Sequence, residues 1–281
     1  MFSDILLTVD FDRTLTATDG SIPQNNLDAI RYFTENGGAF TVNSGRSLPM
    51  AAENILGKIP TNAPLLLYNG SAAYDTETGL LTQTFPIDLD AGTLIADLQA
   101  RFPELTVEIQ AIDAHYAFRK NRDWEVFSEN NRCRWKYADP MHIPGPFIKA
   151  AFYGDLSGHT VASMYTATPE ELALIDRATD HILRRYGEKV DVFRACPRIV
   201  DIHCKGVSKL RSARHLQKTL GKKYLVCVGD AENDLPMLVG ADLAYCPADG
   251  AVADRFENVC CCGDGAVADV ILRKLPGIAG K

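Results

Sequence analysis

The chain holds eight cysteines but no Cys-x-x-Cys pair, which argues against a structural zinc site. It has no apolar run near the length of a membrane span. Its first apolar stretch, Ile5–Val9, is too short for a secretory leader and runs directly into Asp10 and Asp12. A basic surplus is also missing: 29 Lys and Arg stand against 36 Asp and Glu, a net charge of −7, the wrong balance for a nucleic-acid binder. No internal repeat, low-complexity tract or long linker interrupts it. What is present is ordinary globular material, 281 residues with 46% hydrophobic and 23% charged. That is enough for one large domain or two moderate ones. The expectation is a soluble cytoplasmic protein, monomer or homodimer, with reduced thiols and with Cys260–Cys262 packed as small residues in or beside a buried strand.

The two ends of the chain alternate strands and helices. Ile5–Val9, Ala39–Val42 and Leu65–Tyr68 read as buried strands, with helices over Asn25–Asn36 and Pro49–Leu56 between them. After the middle of the chain the pattern returns, with a helix over Ser208–Leu220 and a strand at Tyr224–Val228. A short helix at Asp234–Val239, a strand at Leu243–Tyr245 and a helix over Gly265–Lys274 follow. Such alternation implies right-handed βαβ units and a doubly wound parallel sheet, an α/β core. Between the ends the texture is α+β. A helix is expected over Leu89–Phe102, one or two strands within Leu105–Phe118, and a strand at Phe147–Tyr153. Pro169–Tyr186 is a helix with Thr168 as its cap, and Val190–Phe193 pairs with Ile199–His203. The expected division is a core of residues 1–84 plus 205–281, and an inserted domain of residues 85–204.

Four segments at strand ends carry chemistry. Asp10-Phe11-Asp12-Arg13-Thr14 puts two carboxylates two residues apart, directly after a buried strand, where open α/β sheets bind ligands. Ser44-Gly45-Arg46 follows the second strand and precedes a helix; its hydroxyl and amides could hold a phosphate oxygen, or simply cap the helix. Lys209 opens a helix and is either a phosphate-binding charge or a solvated lysine. Gly229-Asp230-Ala231-Glu232-Asn233-Asp234 packs carboxylates and an amide into one turn, a donor set that suits Mg²⁺.

Taken in order, these segments resemble the haloacid dehalogenase-like (HAD) phosphohydrolases, and the long insertion resembles the Cof-like branch with its sugar-phosphate phosphatases. Tyr68-Asn69-Gly70-Ser71-Ala72 resembles the Asn-Gly turn of that branch. The resemblance covers nearly the whole chain. It implies a Mg²⁺-dependent phosphoric monoester hydrolase acting on a small-molecule phosphate ester, with no nucleic-acid or membrane partner. Asp10 would be the nucleophile and Asp12 the general acid and base. Ser44, Gly45, Lys209 and Asn233 would hold the phosphoryl group. Asp10, the main-chain carbonyl of Asp12, Asp230 and nearby Asp234 would hold the metal. The insertion would act as a cap that selects substrate.

Arg13 departs from the branch, which commonly has glycine there; an allowed backbone and an outward side chain are expected. Arg46, Asn69, Arg132 and Arg134 are candidate specificity residues. If residues 132–137 form a strand, Arg132, Arg134 and Lys136 share one face, either toward substrate or toward solvent. Two other functions are compatible with the pattern: a phosphotransferase or mutase on the same scaffold, and a non-catalytic binding protein.

Overall fold

A computed structural model describes residues 1–143, 145–157 and 166–277. In chain order the elements open with β1 (Ile5–Val9), α1 (Gln24–Glu35), β2 (Ala39–Val42), α2 (Leu48–Asn54), β3 (Leu65–Leu67), β4 (Ala72–Asp75) and β5 (Leu80–Thr84). They continue with α3 (Ala91–Arg101), β6 (Thr106–Ala111), β7 (His115–Ala117), α4 (Arg122–Asn130), β8 (Trp135–Tyr137), β9 (Phe147–Tyr153) and α5 (Pro169–Tyr186). The remainder are β10 (Val190–Cys196), β11 (Ile199–Cys204), α6 (Lys209–Thr219), β12 (Tyr224–Val228), α7 (Leu235–Val239), β13 (Leu243–Pro247), β14 (Glu257–Val259) and α8 (Ala266–Asp269). They fall into two compact units, one of residues 1–45, 56–83 and 208–281, the other of residues 46–55 and 84–207.

The first unit is built on a parallel sheet in the order β14-β13-β12-β1-β2. β1 is central and every residue from Ile5 to Val9 is buried, which is why it reads as an unbroken apolar run rather than an alternating one. Leu6 on β1 and Leu225 and Cys227 on β12 pack with Ala213 and Leu216 of α6 and Met237 and Leu238 of α7. None of that cluster comes from α1 or α8, which pack on each other and are pinned by Asn26, whose Oδ1 accepts the Ala268 N–H at 2.8 Å. The third expected strand stops one residue early: β3 ends at Leu67, because Tyr68 and Asn69 take left-handed backbone angles (φ +52° and +54°). β3 meets the parallel sheet through a single bridge, Asn43 to Leu66, and otherwise forms a small sheet with β4 and β5. The last helix is also broken, giving way after Asp269 to a wider turn over Val270–Lys274. Cys260–Cys262 follow β14 directly. Cys262 is buried, its Sγ 3.2 Å from Asp249 Oδ2, and burial together with that carboxylate pushes its thiol up to about 11.

The second unit is a six-stranded sheet in the order β10-β11-β9-β6-β7-β8, antiparallel except between β7 and β8. One face is apolar. Val107, Ile109, Phe152, Val200 and Ile202 pack against Leu94, Ile95 and Leu98 of α3 and Ile175, Ala178 and Ile182 of α5. α5 begins as expected, with a reciprocal capping box between Thr168 and Glu171 and Pro169 at the first position. The other face carries buried polar groups, Glu108, Gln110, His115, Lys149, Asp201 and His203, beside the aromatic cluster of Trp124, Trp135, Tyr137 and Tyr153. Of residues 132–137, only Trp135–Tyr137 form a strand. Arg132 sits at a positive φ of 53° in the turn after α4, so it does not share a strand face with Arg134 and Lys136.

Candidate active site

The register of the parallel sheet assembles the site. Val9 lies opposite Val42 on one side and Val228 on the other. The residues that follow, Asp10, Asn43–Ser44 and Gly229–Asp230, therefore emerge together at the carboxyl edge of the sheet. Backbone bonds hold them there: Asp10 N–H to Val228 O at 2.9 Å, Asn43 N–H to Val9 O at 2.8 Å and Ser44 N–H to Leu66 O at 2.9 Å.

Lys209, at the start of α6, is buried and bridges two segments from opposite ends of the chain. Its Nζ donates to Asp10 Oδ1 at 2.5 Å and to Asp234 Oδ1 at 2.6 Å. The Asn43 side chain steadies that helix start by donating to the Lys209 carbonyl at 2.9 Å. The second Asp234 oxygen accepts the N–H groups of Asp230 and Ala231 at 3.1 and 3.2 Å. Glycine is required at 229, since a Cβ there would stand 2.7 Å from the Asp234 carboxylate carbon. Thr14 Oγ1 donates to Asp230 Oδ1 at 3.0 Å and ties the first motif to the last.

Three buried carboxylates, Asp10, Asp230 and Asp234, bring oxygens within 4.8 Å of one another. One lysine cannot balance them. Burial, with the neighbouring charges of Asp234, Asp230 and Asp12, holds the Asp10 carboxyl well above its ordinary range despite Lys209. Burial and Asp234 likewise raise Asp230 to about 7, against the lowering pull of Thr14, Lys209 and Arg13. Lys209 is itself raised, because attraction to Asp10 and Asp234 outweighs its burial. An all-oxygen donor set carrying excess negative charge fits a hard divalent cation.

The remaining expected residues occupy varied positions. Asp12 is exposed on the turn Phe11–Leu15, and its charge is among those raising Asp10. Ser44 is buried; its carbonyl accepts the Asn69 N–H at 3.0 Å, and a Cβ at Gly45 would lie 2.9 Å from Asn69 Oδ1. Asn69 thus braces the Ser44–Gly45 turn. The next residue, Gly70 at φ +94°, has room for no Cβ against Ser208, so the Asn-Gly turn also abuts the start of α6. Asn233 is half-buried in the tight turn Glu232–Asp234. Arg46 is half-buried and belongs to the second unit. Arg132 and Arg134 are exposed there, and Lys136 forms a surface ion pair with Asp113 at 3.1 Å.

Arg13 corrects the expectation made for it. Its backbone is left-handed, φ +59° and ψ 11°, the conformation glycine adopts without cost. Its side chain is half-buried rather than directed outward, and its charge pulls the pKa of Asp230, Asp249 and Cys262 downward. Asn43 was absent from the expected site. Its signal was only a polar residue directly after a buried strand.

A family model for haloacid dehalogenase-like hydrolases matches residues 7–252. A Streptococcus pyogenes serotype M6 protein bearing a provisional phosphatase name is 24% identical over 241 residues, covering 83% of each chain. Among solved structures, a haloacid dehalogenase-like hydrolase from Bacteroides thetaiotaomicron superimposes with a TM-score of 0.77 at 18% identity, covering 97% of this chain and 99% of that one. A structure described as a HAD subclass IIB sugar phosphatase gives 0.73 at 15% identity, with 98% of each chain covered. With the strand-end aspartates, the buried lysine and the carboxylate turn in place, the match over most of its length makes this chain a member of the haloacid dehalogenase-like hydrolases.

Proposed function

We propose that the chain is a Mg²⁺-dependent phosphatase of small phosphate monoesters, sugar or polyol phosphates in particular, with Asp10 as its nucleophile. The observation that carries this reading is the pairing of a buried strand-end carboxylate with Lys209 Nζ at 2.5 Å, beside two further carboxylates. The phosphatase name of the S. pyogenes relative supports the reaction class, and the sugar-phosphatase description of the structural relative supports the substrate class.

Asp10, Asp230 and Asp234 would hold the cation, together with the Asp12 carbonyl; when bound, it supplies the positive charge that lets anionic carboxylate and anionic ester meet. An Asp10 oxygen attacks phosphorus, the bond to the ester oxygen breaks, and Asp12 delivers a proton to the departing alkoxide. Water then attacks the aspartyl-phosphate while Asp12 takes its proton, and inorganic phosphate leaves. Lys209 and the Ser44–Gly45 turn would hold phosphoryl oxygens, so most of the rate gain would be positioning and charge stabilisation. The selection among esters is assigned to the second unit.

Release of inorganic phosphate from a panel of monoesters, with Mg²⁺ or excess chelator, tests this in wild type and Asp10→Asn. Metal-dependent release, lost by roughly 10³-fold or more in the variant, is the expected result. Equal release from the variant would refute the assignment of the nucleophile.

A further inference from the structure

Asn43 stands where separate parts of the acidic centre meet, and the residues it engages all belong to the first unit. It is fully buried and follows β2 directly. Its backbone N–H donates at 2.8 Å to the carbonyl of Val9, the residue before Asp10. A bridge to Leu66 ties the same backbone to β3. Its side chain reaches further: Nδ2 donates at 2.9 Å to the carbonyl of Lys209, 166 residues along the chain. One residue thus links the strand end that carries Asp10 to the helix start that carries Lys209.

The direction of that amide is set by a second acceptor. Nδ2 also lies 3.4 Å from Met237 Sδ, and Thr8 Oγ1 donates to the same sulfur at 3.7 Å. Turning the amide over would set its oxygen against a carbonyl and a thioether, two groups that can only accept. Oδ1 has no hydrogen-bond partner among the described residues, so the side chain acts on its surroundings through Nδ2. What Nδ2 holds is the backbone from which the lysine side chain extends. Ser212 Oγ donates to the same carbonyl at 3.0 Å, one turn along α6. Lys209 Nζ has to meet Asp10 Oδ1 at 2.5 Å and Asp234 Oδ1 at 2.6 Å at once. Its four-carbon stem is flexible, so the place of Nζ depends on where that stem is rooted as well as on the two carboxylates.

We propose that Asn43 is a positioning residue for Lys209: by fixing the root of that side chain against the end of β1, it sets where Nζ stands relative to Asp10. The consequence for turnover rests on the phosphatase reading above; the placement of Nζ does not.

Two measurements on Asn43→Leu, which keeps comparable volume and removes the donor, test the proposal. Asn43→Ala takes its place if the leucine variant does not fold. The first is NMR of the lysine side-chain ammonium groups in metal-free protein, with the Lys209 signal identified by its loss in Lys209→Met. Exchange of the Nζ protons with water is expected to accelerate about tenfold in Asn43→Leu. The second is steady-state kinetics with p-nitrophenyl phosphate and saturating Mg²⁺. Asn43→Leu is expected to lower kcat/KM roughly tenfold in the wild-type background and to cost nothing further in Lys209→Met. A merely structural role would lower activity by the same factor in both backgrounds. Equal factors in the two backgrounds, or unchanged Nζ exchange, would overturn the proposal. If wild type hydrolyses no ester, exchange alone decides: acceleration upholds the positioning while the phosphatase reading falls.

Discussion

The two units bury charge to the same depth and compensate it in opposite ways. In the second unit each buried carboxylate is satisfied internally. Glu108 has four donors around it, and Asp201 faces Lys149 at 3.1 Å with His203 beyond; both carboxyls lie at about 2 in spite of burial. In the first unit Asp10, Asp230 and Asp234 share one lysine, and Asp10 and Asp230 are pushed upward instead. Burial alone therefore does not mark a functional site. A gathering of like charges that the chain itself leaves under-compensated is the sharper indicator.

The contrast breaks most visibly at Lys209. Removing the buried lysine with Lys209→Met leaves Asp10 and Asp234 without the cation that bridges them. Metal-free stability at pH 8 should fall by about 3–5 kcal/mol in chemical denaturation. Phosphate release should fall by roughly 10²–10³-fold.

Neutralising one carboxylate in each unit should give opposite signs. Glu108→Gln removes the charged acceptor of a satisfied network and should cost about 1–3 kcal/mol. Asp230→Asn relieves repulsion while keeping an acceptor for Thr14, and should stabilise the metal-free protein by roughly 1 kcal/mol at pH 8. Destabilisation by both would erase the distinction between the two regions.

Acidity sharpens the same point. Glu108, lowered from 4.5 to about 2, and Asp201, lowered from 3.8 to about 2, are ionised in the fold while still protonated in the unfolded chain. Their stabilisation is complete above about pH 4.5 and is lost as pH falls toward 2. Asp230, raised from 3.8 to about 7, retains a proton in the fold that the unfolded chain has released. Its stabilisation is complete below 3.8 and disappears as pH rises to about 7, in the same direction as that of Asp10. Melting curves of metal-free protein should therefore show stability rising from pH 2 to about 4 and declining toward 7, the decline being removed by Mg²⁺.

The smallest effect concerns Arg13. Both Arg13→Ala and Arg13→Gly delete the charge near Asp230 and Asp249, but only glycine accepts φ +59° freely. The glycine variant should be the more stable of the two by about 1 kcal/mol.

Much of the first unit was legible because its chemistry sits in short segments directly after buried strands. Asp10, Ser44 and Asp230 follow apolar runs whose burial forces them to one edge of a parallel sheet. What could not be read was which partner each would meet. The bonds of Lys209 to Asp10 and Asp234 join positions separated by 199 and 25 residues. The left-handed angle at Arg13 is set by the turn Phe11–Leu15 rather than by arginine's own preference. The β4–β5 hairpin was overlooked, although Asp75 accepting the Glu77 and Thr78 amides and Gly79 at φ +71° mark a turn. The polar face of the second sheet was hidden for a different reason. Glu108 and Gln110 alternate with Val107 and Ile109 as they would on a solvated strand, and only the register of β6 with β7 and β9 collects them with His115 and Lys149. The basic residues at 132–136 drew attention instead, and they face solvent.

The central claim is that the carboxylate excess of the first unit is a cation site. Titration calorimetry with Mg²⁺ at pH 6, in buffers of different ionisation heat, addresses it directly. The account predicts saturable binding at one site with net proton release, as Asp230 and Asp10 give up protons held by burial, and weaker binding in Asp230→Asn. Absence of binding, or binding unaltered by Asp230→Asn and without proton release, would contradict it.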